Sequence, residues 1–179
     1  MPDTIKCIGS AAFQDSTLEE INIPDGIEYI STEAFSRCKS LTTIKWNNAS
    51  SLKLYGIGVA AFGRCESLKE VVLPEGVKYL MQSAFTRCSV LEKVVLPNSL
   101  TTIDAGAFWC CPALKEITIP KDTHINETSF EHCDDIVLKV HENSYALSTA
   151  QKIGLKYEII EDNENDTFLK LTKRLLSKD

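Results

Sequence analysis

The chain has 179 residues, of which 44% are apolar and 25% charged, and its formal net charge at pH 7 is −6. This composition is typical of one folded domain with a continuous core and excludes a largely disordered chain. The acidic balance argues against nucleic acid as a partner, because proteins that bind phosphate backbones concentrate Lys and Arg on one face. No stretch approaches the roughly 18 to 20 apolar residues of a membrane span, so no membrane insertion is expected.

An internal repeat organises the sequence. Phenylalanines recur at intervals of 22, 27, 23, 23 and 22 residues, at Phe13, Phe35, Phe62, Phe85, Phe108 and Phe130. An aliphatic residue stands five positions before each one, at Ile8, Ile30, Ile57, Leu80, Ile103 and Ile125. In five copies a cysteine follows three positions after the ring, at Cys38, Cys65, Cys88, Cys111 and Cys133. Units of about 23 residues cannot bury an apolar face alone, so successive units must stack and share one core.

Each unit is predicted to contain a short strand. In Leu91-Glu92-Lys93-Val94-Val95-Leu96-Pro97 the alternation points Leu91, Val94 and Leu96 inward and leaves Lys93 and Val95 outward. Prolines 24, 74, 97 and 120 are expected to end these strands, because proline has no N–H to give to a ladder. Strands of successive units are expected to pair in parallel in one curved sheet. The Ala-Phe-x-x-Cys segment is expected to form a short helical turn on the opposite side.

Two departures from the repeat carry expectations of their own. The third unit has four extra residues between Trp46 and Phe62 and lacks the strand-ending proline, so a loop is expected at residues 47–51. The first unit begins midway, at Ile5, without a visible polar cap. Because a solenoid needs capped ends, this end is expected to stack on further repeats, to be covered by a partner, or to self-associate with another copy.

The C-terminal part is predicted to close the repeat domain of residues 1–160. From about residue 143, the polar Asn143 and Ser144 and the later Gly154 indicate the start and end of a helix, and Leu155 to Ile160 indicates a closing strand. Residues 161–179 read as an acidic linker and an amphipathic terminal helix, with apolar positions at Phe168, Leu171, Leu175 and Leu176. That helix either packs back on the solenoid, engages something else or frays.

The repeated unit resembles a known family. Its columns, Leu-x-x-Ile-x-Ile-Pro, then Ile-x-x-Ile, then Ala-Phe-x-x-Cys, are similar to those of the BspA-like leucine-rich repeats from Ile5 to about Ile160. The resemblance implies an α/β repeat solenoid, a right-handed superhelix with a parallel β-sheet on its concave face and short helical turns or extended segments on its convex side. It also implies no catalytic activity and no cofactor. Members of the family often occur at the cell surface, and some resemble adhesins.

The compartment stays open on sequence grounds. The family favours the exterior, whereas the first residues, Met-Pro-Asp-Thr-Ile-Lys, do not resemble a secretory signal. Unpaired thiols also favour the interior.

The cysteines and histidines offer little sign of chemistry. The five cysteines of the column are expected to be buried small hydrophobes, whereas Cys7 and Cys110 fall outside it and are expected to be more exposed and open to oxidation. No Cys-x2-Cys or His-x3-His pair indicates a metal site, and His124, His132 and His141 stand outside any catalytic motif. A thiol redox or metal-binding protein is therefore only the alternative to a non-enzymatic module.

The outward strand positions are the candidate surface for a protein partner. Charges alternate between neighbouring units, as in Glu70, Lys93 and Glu116, and Val72 stands beside Val95 as an apolar patch or as ordinary strand propensity. Trp46 occupies an inward position and either fills core volume or forms a contact edge. The predicted partner-binding residues are Thr43, Lys45, Trp46, Glu70, Val72, Lys93, Val95, Glu116 and Thr118. The alternative function is a structural or self-assembling segment of a longer repeat protein.

Overall fold

The computed structural model describes residues 5–47 and 52–161. Most of the expected loop after Trp46, and the proposed terminal helix with Phe168, Leu171, Leu175 and Leu176, lie outside the described residues. The elements in chain order are β1 Cys7–Ile8, β2 Glu20–Ile23, β3 Tyr29–Ile30, β4 Thr43–Trp46, β5 Gly56–Ile57, β6 Glu70–Val72, β7 Tyr79–Leu80, β8 Lys93–Val95, β9 Thr102–Ile103, β10 Glu116–Thr118, β11 His124–Ile125, β12 Val137–His141, α1 Tyr145–Ile153 and β13 Lys156–Ile160.

The strands form a parallel-sheet solenoid with two ladders rather than one. The Ile-x-x-Ile segments give one six-stranded sheet in the order β1-β3-β5-β7-β9-β11. The Ile-x-Ile strands pair separately, as β2-β4, β6-β8 and β10-β12-β13, and every pair is parallel. The predicted parallel pairing is confirmed, but the prediction of one curved sheet is wrong. The six-stranded sheet of the Ile-x-x-Ile segments could not be predicted from alternation. Its strands are only two residues long, as in Tyr29–Ile30, and two residues are too few to show an alternating pattern.

Prolines close the Ile-x-Ile strands as predicted. β2 ends at Ile23 immediately before Pro24, and β6, β8 and β10 end two residues before their prolines. Each proline carbonyl then accepts a hydrogen bond from the N–H three residues later, as in Ile27 N to Pro24 O at 3.1 Å and Leu100 N to Pro97 O at 3.1 Å. The turn fixes the distance between the two ladders within a unit.

The Ala-Phe-x-x-Cys segments are stacked turns, and the expectation of helical turns is wrong. Around Phe35, residues Glu33 and Arg37 have left-handed φ values of 56° and 60°. The N–H groups of Glu33, Phe35 and Arg37 donate to carbonyls of the next unit, at 2.8, 2.7 and 2.8 Å. Alternating left-handed residues point these N–H groups sideways along the solenoid instead of four residues back, so the segment forms a third ladder.

The core is a stack of benzyl rings, one from each unit. Neighbouring rings from Phe13 to Phe130 are nearly parallel, with interplanar angles of 1° to 6° and centroid separations of 5.0 to 5.7 Å. Phe35, Phe62, Phe85 and Phe108 are 0% exposed. Burial of each ring stabilises the fold by about 1.5–3 kcal/mol. The phenylalanines that mark the repeat in the sequence therefore also hold its layers together.

A helix and a strand follow the last unit. The side chain of Ser144 accepts a hydrogen bond from Leu147 N at 3.1 Å, and Gly154 ends α1 with a left-handed φ of 74°. These are the two residues that the sequence indicates for the ends of the helix. β13 then pairs with β12 over five residues, from Val137–Lys156 to His141–Ile160. The buried Ala146 and Ala150 of α1 belong to the main core cluster.

Candidate functional site

The predicted partner-binding residues lie on neighbouring strands and form what we call the strand face. β4 carries Thr43, Lys45 and Trp46, β6 carries Glu70 and Val72, β8 carries Lys93 and Val95, and β10 carries Glu116 and Thr118. Glu70 is in register with Lys93, and Val72 with Val95. Because β4 contacts β6 and β8 contacts β10, the sequence correctly placed these positions side by side.

Charges on the strand face are largely paired within the protein. Lys93 Nζ lies 3.4 Å from Glu70 Oε1, and Lys139 Nζ lies 2.9 Å from Glu116 Oε2. Lys45 Nζ lies 3.0 Å from Glu20 Oε2 on the preceding strand. Exposed pairs contribute only about 0–1 kcal/mol each, but they reduce the net charge that this face offers to a partner.

The expected apolar patch of Val72 and Val95 is smaller than the alternation predicts. Val95 is only 4% exposed, although it lies outside the main core cluster, and Val72 is half-buried. The prediction that Val95 points outward into solvent is therefore wrong. A charged residue at this position would be placed in a buried environment and would disturb folding before it tested any interface.

Trp46 connects two parts of the strand face. β4 pairs with β2 and β6 pairs with β8, so β4 and β6 belong to different two-stranded sheets although they are in contact. The indole Nε1–H of Trp46 donates to Val72 O at 2.6 Å, and its partly buried ring packs against the core. This contact favours the core-filling interpretation of Trp46 over that of a free contact edge.

A second surface, here called the tyrosine face, consists of Tyr29 and Tyr79 on the six-stranded sheet and of Tyr55, which immediately precedes β5. Tyr55 is 46% and Tyr79 41% exposed. The rings of Tyr29 and Tyr55 have centroids 5.5 Å apart at an angle of 30°. Aromatic side chains with a hydroxyl group at the tip combine a large apolar area with hydrogen-bonding ability. The face therefore offers a partner both kinds of contact.

Gly56 gives the tyrosine face its shape. It lies in register between Tyr29 of β3 and Tyr79 of β7. A Cβ at this position would lie 2.8 Å from Tyr29 Cε2, so the absence of a side chain lets the Tyr29 ring lean across the neighbouring strand. Burial is the main reason why the pKa of the Tyr29 hydroxyl is raised, and the neighbouring Tyr55 raises it further. Its hydroxyl therefore stays protonated at physiological pH.

The thiols show no arrangement for chemistry in the described residues. Each cysteine of the column donates its S–H to a phenylalanine carbonyl one unit earlier, and burial raises the pKa of Cys88 to about 12. These thiols are buried as predicted, while Cys7 is exposed and Cys110 half-buried. Within residues 5–47 and 52–161, no group of three or more His, Cys, Asp or Glu side chains is arranged to hold a metal ion.

Two of the histidines, His124 and His132, make aromatic contacts. His124 stacks on Tyr145 with centroids 3.7 Å apart, and His132 meets Trp109 edge-on at 5.2 Å. Across the described residues, no helix has the length and apolar character to cross a membrane.

Similarity to known proteins follows the repeat. The pattern of the BspA type leucine rich repeat region matches six copies over residues 6–137, well over half of the chain. The chain belongs to this family. A leucine-rich repeat protein of Bacteroides ovatus ATCC 8483 is 30% identical over 75% of this chain, with a TM-score of 0.55, and the match spans 40% of that protein. No curated protein matches the chain.

Two further solved structures of leucine-rich proteins resemble this BspA type repeat chain. A leucine-rich repeat protein of T. pallidum is 26% identical, with 86% of this chain and 79% of that chain covered and a TM-score of 0.69. A leucine rich cell surface protein of Faecalibacterium prausnitzii A2-165 is 22% identical, with 92% and 53% covered and a TM-score of 0.56. At this identity the latter shows the fold alone.

The tyrosine face could have been noticed within the BspA type repeat. Tyr29, Tyr55 and Tyr79 fall one or two positions before the inward aliphatic residues Ile30, Ile57 and Leu80. That signal stays hidden while no strand is assigned to the Ile-x-x-Ile segment, because only the residues of paired strands are expected to line up across units. Once the segment forms strands, positions of successive units lie about 4.8 Å apart on one face.

Proposed function

We propose that the chain is a non-catalytic protein-interaction module that binds another protein through the tyrosine face. The observation that carries this proposal is the clustering of exposed rings, with Tyr55 46% and Tyr79 41% exposed and Tyr29 in contact with Tyr55. Tyrosine is among the residues that dominate binding energy at protein interfaces. A surface that only had to be compatible with water could carry small polar side chains instead of exposed aromatic rings, so the rings favour a role in binding.

Rigidity of the underlying sheet supports the proposal. Tyr29 and Tyr79 lie on β3 and β7, which both pair with β5, so their backbones are fixed by ladders on the solenoid. A partner therefore does not have to order a loop to engage them, which lowers the entropic cost of association. Glu28 precedes Tyr29 in the chain, and its carbonyl accepts a hydrogen bond from Tyr55 N at 3.0 Å. Its side chain pairs with Lys6 Nζ at 3.3 Å, so charged groups start next to the tyrosines as in the polar rim of an interface.

The test uses Tyr55→Ser combined with Tyr79→Ser. A protein captured by the immobilised wild-type chain is purified, and its affinity for wild type and variants is measured by calorimetry. We expect the double variant to bind at least tenfold more weakly, since interface tyrosines commonly contribute about 1–2 kcal/mol or more each. Tyr157→Ser, an exposed tyrosine on β13, is the matched control and should bind as wild type does.

The strand face remains the second proposed contact surface. Its accessible members include Thr43, Lys45, Val72 and Thr118, and Val72→Asp tests it without placing a charge at the buried Val95. An affinity that falls with Val72→Asp but not with the tyrosine variants would move the interface to the strand face. An affinity that none of the variants changes would contradict both surfaces.

Self-association is a second candidate function, favoured by the first unit. Ile5, Phe13 and Leu18 are only partly buried against the core, whereas Phe35 of the next unit is 0% exposed. A second copy that covers these three residues would bury the end of the ring stack.

A further inference from the structure

A column of side chains runs along the stacked turns, two positions after each phenylalanine. Its members, all with left-handed φ values between 57° and 60°, are Asp15, Arg37, Arg64, Arg87, Cys110 and His132. The N–H groups of Arg64 and Arg87 donate to Thr86 O and Trp109 O, both at 2.7 Å. These bonds hold Arg64 and Arg87 in register on adjacent turns, so the two side chains start about 4.8 Å apart.

Asp15 and Arg37, the first two members of the column, show how an arginine in the column can bind an oxyanion. Arg37 donates from Nε and Nη2 to the two carboxylate oxygens of Asp15, both at 2.7 Å. The guanidinium beside it lowers the pKa of Asp15. Two-pronged contacts of this kind are the strongest that arginine makes with carboxylate or phosphate. Neighbouring turns of the column are therefore spaced so that an oxyanion fits against an arginine.

Arg64 and Arg87 lack such a partner. Over the part of the chain that the structure describes, neither guanidinium forms an ion pair or a side-chain hydrogen bond, and both residues are exposed. Like charges directly opposite each other in neighbouring layers are destabilising. Two adjacent uncompensated arginines are conspicuous in a chain whose formal net charge is −6. An anion placed between them would remove the repulsion.

The surroundings form a small open cavity of about 240 Å³, lined by Arg64, Glu66, Arg87, Ser89, Cys110 and Pro112. Arg87 is oriented by Trp109, with its guanidinium carbon 4.7 Å from the ring centroid. Glu66 is drawn toward Lys39, whose Nζ lies 3.6 Å from Glu66 Oε1, and this pair offsets the negative charge that Glu66 brings. The hydroxyl of Ser89 is available as a further donor.

We propose that Arg64 and Arg87 form a binding site for a tetrahedral oxyanion, namely the phosphate or sulfate group of a monoester. Two guanidinium groups and the Ser89 hydroxyl line the same cavity and together offer more donors than the two oxygens of a carboxylate need, which suits a tetrahedral group with three or four oxygens. The site lies on the stacked turns, away from the tyrosine face, and does not depend on the interaction proposed there.

Titration with inorganic phosphate and inorganic sulfate tests the site. Nitrogen-15 NMR follows the Nε–H signals of Arg64 and Arg87 and the indole N–H of Trp109, with ionic strength held constant by sodium chloride. We expect saturable shifts in the wild type and at least a tenfold loss of affinity when Arg64→Gln and Arg87→Gln are combined. Lys53→Gln removes an exposed positive charge elsewhere and should leave the affinity unchanged.

Two further titrations distinguish a phosphate monoester from a sulfate monoester as the ligand. O-Phosphoserine should bind more tightly at pH 7.5 than at pH 5.5, because its second ionisation has a pKa of about 6, whereas glucose 6-sulfate should show no such change. Shifts that stay linear with concentration, or an unchanged affinity in the double variant, would overturn the proposal. Acetate bound as tightly as phosphate and sulfate would overturn the assignment to a tetrahedral group.

Discussion

The cysteine column illustrates how a single residue serves a stacked core. Each thiol fills the space beside a ring and donates to a phenylalanine carbonyl one unit earlier, at distances of 2.9 to 3.3 Å. A buried carbonyl without a partner would cost about 1–3 kcal/mol. Cysteine suits this position because it is small and apolar and still carries a weak donor. The repeated cysteine therefore has a structural explanation that requires no redox chemistry.

Burial of Cys88 makes stability depend on pH in the alkaline range. Burial raises the pKa of this thiol from 9.0 to about 12, so the folded state favours the protonated form. This contribution is fully present below about pH 9 and is lost as pH rises toward 12, at about 1.4 kcal/mol per pH unit for one thiol. Urea unfolding monitored by circular dichroism at pH 8, 9, 10 and 11 should show the decline, with a shallower slope for Cys88→Ala.

Thiol reactivity provides an independent check on the same residue. At pH 8 the native chain should react rapidly with an aromatic disulfide reagent at Cys7, which is exposed, and more slowly at the half-buried Cys110. The five buried thiols should react only after unfolding. Rapid modification of Cys88 in the native chain would contradict the buried, protonated state that the pH prediction requires.

Two glycines on either side of Ile57, Gly56 within β5 and Gly58 directly after it, have different roles. A Cβ added at Gly58 would lie 2.6 Å from Ile30 O and 2.7 Å from Ser31 C, which are backbone atoms of the neighbouring unit. The N–H of Gly58 also donates to Ile30 O at 2.8 Å. Close approach of two backbones therefore requires glycine here. At Gly56 the nearest atoms instead belong to the movable ring of Tyr29.

Gly58→Ala should lower the free energy of unfolding by about 1–3 kcal/mol or more, because the rigid backbone cannot yield without breaking the ladder. Gly56→Ala should change it by less than about 1 kcal/mol, because the Tyr29 ring can rotate away. The same change should weaken partner binding at the tyrosine face by separating Tyr29 from Tyr55. Urea unfolding of both variants measures the difference, and equal losses of stability would contradict this account of the two positions.

The sequence predicted the inward residues of the fold better than its surfaces. Phe35, Cys38 and Ile30 could be assigned to the core because such positions recur in every unit and must be apolar for the units to stack. The stacked turns could not be recognised, since residues such as Glu33 and Arg37 adopt left-handed φ values that sequence rules assign to glycine or asparagine. Val95 was predicted to be exposed because alternation indicates which residues of a strand point away from the core. It does not indicate whether another part of the protein covers those residues.

Each unit of the solenoid touches only its neighbours, so the units at the two ends differ from those in the middle. Stability in such an array is approximately a sum of unit and interface contributions. The C-terminal end is covered by α1 and β13, whose contacts include the buried Ala146, Leu147 and Ala150. The first unit instead leaves Ile5, Phe13 and Leu18 partly buried, which directs the self-association hypothesis to this end.

Association through the first unit should produce a closed dimer. Two copies that meet by the same patch are related by a twofold axis and cannot add a third, whereas a first unit stacked on β13 would give open filaments. Sedimentation velocity over a wide range of concentrations should therefore show monomer and dimer only. Phe13→Lys should abolish the dimer, since a charge cannot be buried between two copies without a partner, and Ile159→Lys, at an exposed position of β13, should leave it unchanged. Monomer at every concentration would rule out the hypothesis, and loss of assembly with Ile159→Lys would indicate head-to-tail stacking instead.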